Sequence, residues 1–198
     1  MNISSGRFIK SWTILLFTLL LTTGTNICQA RTDNASPKPL HIGSPAFAQG
    51  KPIPALYTCD IQNISPPFHI SGVPHKSKSL ALIIDDPDSP SGLWMHWLLW
   101  NIDPSTAEIA QNATPANAVT GINSFGNPAY GGPCPPNGRH HYNVRLYALD
   151  TVLSLPAGAP RQSLDTAMQG HILSTATLTG TYSRQGAQSI NPFKGTHR

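Results

Sequence analysis

Acid and imidazole gather at three points of this sequence. Asp85, Asp86 and Asp88 stand in DDPDSP, directly after the apolar run SLALII; His96 is set among Trp94, Met95, Trp97 and Leu98; and His140-His141 open the segment HHYNVRLYALD. Asp and Pro initiate turns, because a carboxylate captures nearby backbone N–H groups and the pyrrolidine ring fixes φ. A turn needs only one such carboxylate, however, and three within four residues repel one another. At least one of them is therefore expected to face a cleft. A lone histidine on an apolar strand is ordinarily a core residue with one hydrogen-bond partner, and His96 on its own would be read that way. The second pair, His140-His141, strengthens the functional reading, because it follows the glycine- and proline-rich loop YGGPCPPNG at 130–138. Proline stiffens such a loop and glycine lets a ligand approach closely.

Acid with imidazole suits an acid/base pair, a metal site or a pocket for a small charged group. The chain has no HxH or HExxH spacing, no GxSxG nucleophile elbow, no Walker loop and no GxGxxG. These absences argue against a metal centre, a serine hydrolase of the elbow type and a nucleotide site. A hydrolase using Asp86 and His140 as an acid/base pair stays open as an alternative.

The elements that must position these residues are mostly strands. Ser79–Asp85 is a continuous apolar run and is expected to be a central strand buried on both faces. Trp94–Ile102 is a second strand, with His96 in phase with Trp94, Leu98 and Trp100. In a third, Tyr142–Asp150, Tyr142, Val144, Leu146 and Ala148 alternate with Asn143, Arg145, Tyr147 and Leu149. YTCDIQNISPPFHIS reads as two extended pieces flanking Pro66-Pro67, which cannot join a ladder. One helix is expected over Ser163–Leu173, N-capped by Ser163, with Leu164, Ala167, Met168 and Ile172 as its buried stripe and Gly170 weakening it. A last strand spans Thr175–Tyr182. The reading is one mainly β domain.

Charged residues make up only 11% of the 198, while Pro (19) and Gly (16) are plentiful, which favours short strands and turns over long charged helices. The first thirty residues form a separate object. Arg7 and Lys10 precede the apolar core ILLFTLLL at 14–21, and CQA at 28–30 places small residues for a signal peptidase. The core is short for a membrane span, so cleavage after Ala30 is expected, with an uncleaved anchor helix as the alternative and a lipoprotein disfavoured by the poor lipobox Thr25-Asn26-Ile27. Residues 31–39 read as a flexible leader, 40–185 as the domain and 186–198 as a flexible tail. Cleavage removes two of thirteen basic residues and none of nine acidic ones, so eleven against nine leaves a net charge of +2. No Lys/Arg cluster dense enough for nucleic acid remains. Two cysteines remain after cleavage, Cys59 and Cys134, in an oxidising compartment. They are expected either to bridge or to stand as separate buried thiols.

DPDSP, MHWLLWNI, YGGPCPPNGRHHYNVRLYALD and the ending ATLTGTYSR, in that order, resemble the phosphatidylethanolamine-binding protein family, within it the bacterial branch labelled Raf kinase inhibitor-like. The similarity runs from about Leu40 to Arg184. It implies a sandwich of two antiparallel sheets of Greek-key type with a short helix near the C-terminus, and a small anion pocket without metal or cofactor. Carried over by position, Asp86, His96 and His140 form that pocket, Asp88 is the second acid of DPD and Tyr142 is the tyrosine of the family's HRY. Gly132, Cys134 and Pro136 match the rimming loop. His141 departs from the usual Arg, and Met95 from the usual Trp or His. The implied function is that of an exported, non-enzymatic binding protein for a phosphate-bearing small molecule or phospholipid head group. A periplasmic location is favoured over secretion, and the family resemblance adds a kinase or protease partner. The remaining alternative is a partner-binding or protease-inhibitor scaffold with a vestigial pocket.

Overall fold

A computed structural model describes Lys38–Arg184. The expected signal peptide, most of the leader and the tail lie outside the described residues. β1 (His41–Gly43), β2 (Phe68–Ser71) and β5 (Glu108–Ile109) form a three-stranded sheet, while β3 (Ser79–Asp86), β4 (Trp94–Ile102), β6 (Val119–Thr120), β7 (His140–Leu149) and β8 (Ile172–Tyr182) form a five-stranded one in the order β6-β4-β3-β7-β8. All named strand pairs are antiparallel. Within the larger sheet, β3, β4 and β6 lie side by side and β7 returns to the free side of β3, which is the Greek-key order.

Every residue of β3 is buried. Leu80, Leu82 and Ile84 face the smaller sheet, in one buried cluster with its Phe68 and Ile70 and with Trp97, Leu99 and Leu146 of their own sheet. Ala81 and Ile83 point the other way, against Leu98, Trp100 and the helix residues Leu164 and Met168. The continuous apolar run was therefore legible as a strand covered on both faces. The cover is the smaller sheet on one face and a single helix with its loops on the other.

Two expectations about the elements need correction. The helix α1 is Arg161–Met168, preceded by Pro160 at the N-cap, with no side-chain cap. Ser163 sits in its first turn, where its N–H reaches the Pro160 carbonyl. Gly170 takes φ +80°, which ends the helix early, so Ile172 opens β8 and is exposed. In the 57–71 stretch only Phe68–Ser71 is a strand; the earlier part begins at the end of a 3₁₀ turn, Ala55–Tyr57, and continues through turns with Asn63 at φ 56°.

Candidate functional site

The three aspartates divide their work. Asp85 points to the helix side of the sheet, where its carboxylate accepts from Arg145 Nε at 2.6 Å and Asn143 Nδ2 at 3.0 Å. Asp86, one residue on, faces the inter-sheet side. Its Oδ1 accepts the Asp88 backbone N–H at 2.8 Å, closing an Asx turn, and its Oδ2 lies 2.8 Å from His140 Nδ1. Asp88 is at the surface, where its Oδ2 accepts from the His141 backbone N–H at 2.8 Å and from His141 Nδ1 at 2.6 Å. The His141 side chain, donating to it, holds the Asp88 carboxyl below its ordinary pKa. One carboxylate thus faces the cleft and also makes the turn.

His96 reaches the same side by an irregularity. Opposite β3, Asp85 pairs with Met95 and Ile84 with Trp97, so His96 is an extra residue in β4. The bulge resets the alternation. Met95, Leu98 and Trp100 lie on the helix side, while His96 and Trp97 both face the inter-sheet side. His96 is therefore not in phase with Leu98 and Trp100, as simple period-2 reading had it. Its ring stands edge-on to Tyr142, with centroids 5.2 Å apart, and to Phe125 at 5.6 Å.

A loop from β6 to β7 closes the site. The Gly131 carbonyl lies 2.6 Å from His96 Nδ1, and the Gly131 N–H returns a bond to the His96 carbonyl at 2.9 Å. A carbonyl can only accept, so Nδ1 carries the proton in neutral His96. Nε2 is buried without a hydrogen-bond partner, and burial lowers the imidazole pKa. Gly132 packs so tightly that a Cβ there would stand 2.5 Å from the Tyr57 carbonyl oxygen and 2.6 Å from Asn63 Oδ1, the acceptor of its own N–H. Cys134 is bridged to Cys59 across 75 residues. Asn123 accepts from the backbone N–H groups of Phe125 and Asn127, shaping the turn that carries Phe125.

Together these parts enclose a cavity of about 170 Å³ lined by Asp86, His96, Cys134, Pro136 and His140 among the residues singled out from the sequence. Asp88, Gly132 and Tyr142 lie off its wall. Asp88 holds His141, Gly132 seats the loop, and Tyr142 lies beneath His96 with its hydroxyl buried and unpartnered. Burial, then the neighbouring Asp86 charge, push the Tyr142 phenol well above its ordinary pKa. Ser89, Pro90, Ser91, Trp94, Phe125 and Pro135 complete the wall and were not anticipated as site residues. Trp94 alone carried a legible signal, as the residue paired with Asp86 across the hairpin. Phe125 sits in the irregular stretch INSFGNPAY, where no periodicity marks a direction. Neither departure from the family pattern touches the cavity wall: His141 is exposed and Met95 lies on the other face. Among the described residues no group of three or more His, Cys, Asp or Glu side chains is arranged to hold a metal ion, and no helix is long and apolar enough to cross a membrane.

An antiparallel sandwich with a small Asp/His-walled cavity at one end of its inter-sheet core places the chain among known proteins. The family model described as phosphatidylethanolamine-binding protein matches residues 43–183. The chain belongs to that family. A UPF0098 protein of Methanothermobacter thermautotrophicus is 47% identical over 150 residues, spanning 73% of this chain and 99% of the relative. One from Chlamydia trachomatis serovar D is 44% identical over 150 residues, 73% of this chain and 99% of the relative. Among solved structures, a phosphatidylethanolamine-binding protein homolog from C. trachomatis superimposes with a TM-score of 0.72 at 43% identity, over 74% of this chain and 99% of that one. YbcL of E. coli gives 0.70 at 28% identity, over 75% and 100%.

Proposed function

We propose that this protein is an exported, non-enzymatic binding protein that holds a small phosphate-bearing group in the cavity between Asp86, His96 and His140. The observation that carries the reading is the paired imidazole wall. His96 is buried, committed through Nδ1 and unpartnered at Nε2, and His140 is held through Nδ1 by Asp86. Buried polar atoms are rarely left unpaired unless something else completes them. The size agrees. At about 170 Å³ the cavity is smaller than the roughly 300–1,000 Å³ that encloses a drug-sized ligand, which suits a head group more than a whole metabolite. Asp86 would repel a bare anion, so a ligand carrying both phosphate and amine fits acid and imidazole together. A modulating or inhibitory action on a protein partner is supported by family resemblance alone, and export by the sequence of residues 1–30.

Calorimetric titration with O-phosphoethanolamine near pH 6 tests the pocket. Replacing His96 and His140 together by Ala should weaken binding by about 1–3 kcal/mol for each lost contact to a charged group. His75→Ala and His171→Ala, which lie off the cavity wall, should leave it unchanged. Equal affinity in the double variant and the parent would refute the assignment. The pairing of His140 with Asp86 also favours one second reading, since an imidazole oriented by a carboxylate is half of a hydrolytic site. Turnover of a phosphoester or carboxylester panel that is lost in His140→Ala would support it.

A further inference from the structure

The two imidazoles do not offer the cavity what an anion needs. At His96 the Gly131 oxygen fixes the proton on Nδ1, leaving a lone pair on Nε2. At His140 the partner is Asp86, which as an ionised carboxylate can only accept, so that Nδ1 is again the protonated nitrogen. In their neutral forms both rings therefore present acceptors. The hydroxyls of Ser89 and Ser91 on the wall can donate but bring no charge. Neither neutral ring has an N–H left to donate to a fully deprotonated phosphate, and Asp86 adds a negative charge.

From this arrangement we infer that the pocket takes its ligand together with one proton, and so selects a phosphomonoester, which can carry that proton itself, over a phosphodiester, which cannot. The inference rests on the reading of the cavity as a phosphate site. A monoester has a second ionisation near pH 6. Its monohydrogen form donates P–O–H to one Nε2, or equivalently passes the proton to the ring and binds as the dianion against an imidazolium. Either description holds one more proton than the free dianion and the free pocket, and the proton comes from solvent. A diester has no proton to bring, so it must wait for a ring to be protonated. The ionisable groups on the same side of the sheet as His96 are Asp86 from β3 and His140 and Tyr142 from β7, and the Asp85 charge acts on it from the helix side. Those facing His140 are Asp86 and Asp88, with Tyr182 opposite in β8. At His96 the carboxylates favour an imidazolium, but burial opposes it and dominates.

The experiment compares O-phosphoethanolamine with glycerophosphoethanolamine, which share the amine and differ in having one ester or two. Binding to the folded protein is measured by calorimetry in two buffers of different ionisation enthalpy, at about pH 7.5 and about pH 5.5. At the higher pH the monoester should bind about tenfold more tightly and take up close to one proton per site, with affinity falling about tenfold per further pH unit. At the lower pH both the preference and the proton uptake should shrink. His96→Gln and, separately, His140→Gln replace the ring by an amide that can donate an N–H without taking up a proton, and should reduce the uptake and narrow the preference. Equal affinities for the two esters at about pH 7.5 with no proton exchange would overturn this inference and leave the phosphate site standing. No binding of either ester at either pH would overturn the phosphate site itself.

Discussion

Replacing Cys59 and Cys134 together by Ser should destabilise the domain by about 4 kcal/mol without moving the pocket. The bridge closes a loop of 75 residues, and the chain-entropy relation, −2.1 − 1.5R ln n, gives about 15 cal/mol/K, or about 4.5 kcal/mol at 25 °C. That is a large share of the 5–15 kcal/mol typical of a domain. The native geometry does not depend on the bridge alone. The Cys59 N–H donates to the Pro133 carbonyl at 3.1 Å, the Gly132 N–H to Asn63 Oδ1 at 2.7 Å, and the Tyr130 hydroxyl to the Tyr57 carbonyl at 2.8 Å. All three join the segments that the disulfide joins. The effect therefore acts on the unfolded chain, which becomes less compact when the bridge is gone, and the urea m-value should rise as well. Equilibrium urea unfolding of the oxidised parent and the double variant measures both. The melting temperature should drop by roughly 10–15 °C. A loss under about 1 kcal/mol, with an unchanged m-value and one folded state by NMR, would refute the entropic reasoning.

Three further outcomes follow from the same geometry. In the unfolded chain His96 titrates near 6.5, whereas burial lowers its pKa in the folded protein. The unfolded state then binds more protons, so apo stability should fall as pH drops below about 6.5; His96→Leu should flatten that slope in urea titrations between about pH 7.5 and 5, and parallel slopes would contradict the burial argument. Arg145→Leu strips the closest partner from the Asp85 carboxylate, whose side chain is 1% exposed, and should cost about 3 kcal/mol, whereas Asp165→Ala, which breaks the exposed pair with Arg161, should cost under about 0.5 kcal/mol; equal losses in thermal or urea unfolding would undo the distinction. Gly132→Ala should cost about 1–3 kcal/mol by overpacking against fixed backbone, while Gly138→Ala, with open space but φ +65°, should cost about 1 kcal/mol; chemical unfolding of the two variants ranks them, and the reverse order would count against the contact argument.

Much of the sandwich was legible because burial imposes period. The alternation of Tyr142, Val144, Leu146 and Ala148 and the unbroken run over Ser79–Asp85 are copied directly into the two faces of the larger sheet. One acid of DDPDSP, His96 and the pair His140-His141 were conspicuous as acid and imidazole at strand ends, and the family resemblance picked out Asp86 and His140 among them. What period could not supply was phase across an irregularity. The bulge at His96 is a property of pairing between two strands, and nothing in WMHWLLW states which residue is the surplus one. The helix start failed for a related reason. Pro160 sets the first turn through its fixed φ of −76°, so no polar side chain is needed to mark the boundary. Phe125 and the Gly131 carbonyl were invisible because one lies in a loop without period and the other is backbone.

That surplus residue separates the site from the scaffold. With His96 taken out of the chain, Met95 would still oppose Asp85, Trp97 would still oppose Ile84, and each would keep its own face of the sheet. That irregularity would go, and the second one, opposite Leu80 and Leu82, would stay. The histidine is thus a surplus residue in the strand pairing that also anchors Gly131, and a single-codon deletion would remove one wall of the cavity and the seat of its loop while leaving the facing pairs of β3 and β4 in place. Lineages that keep the sandwich for some other purpose could shed the pocket in one step, and sequence identity across the rest of the domain would give no sign of the loss.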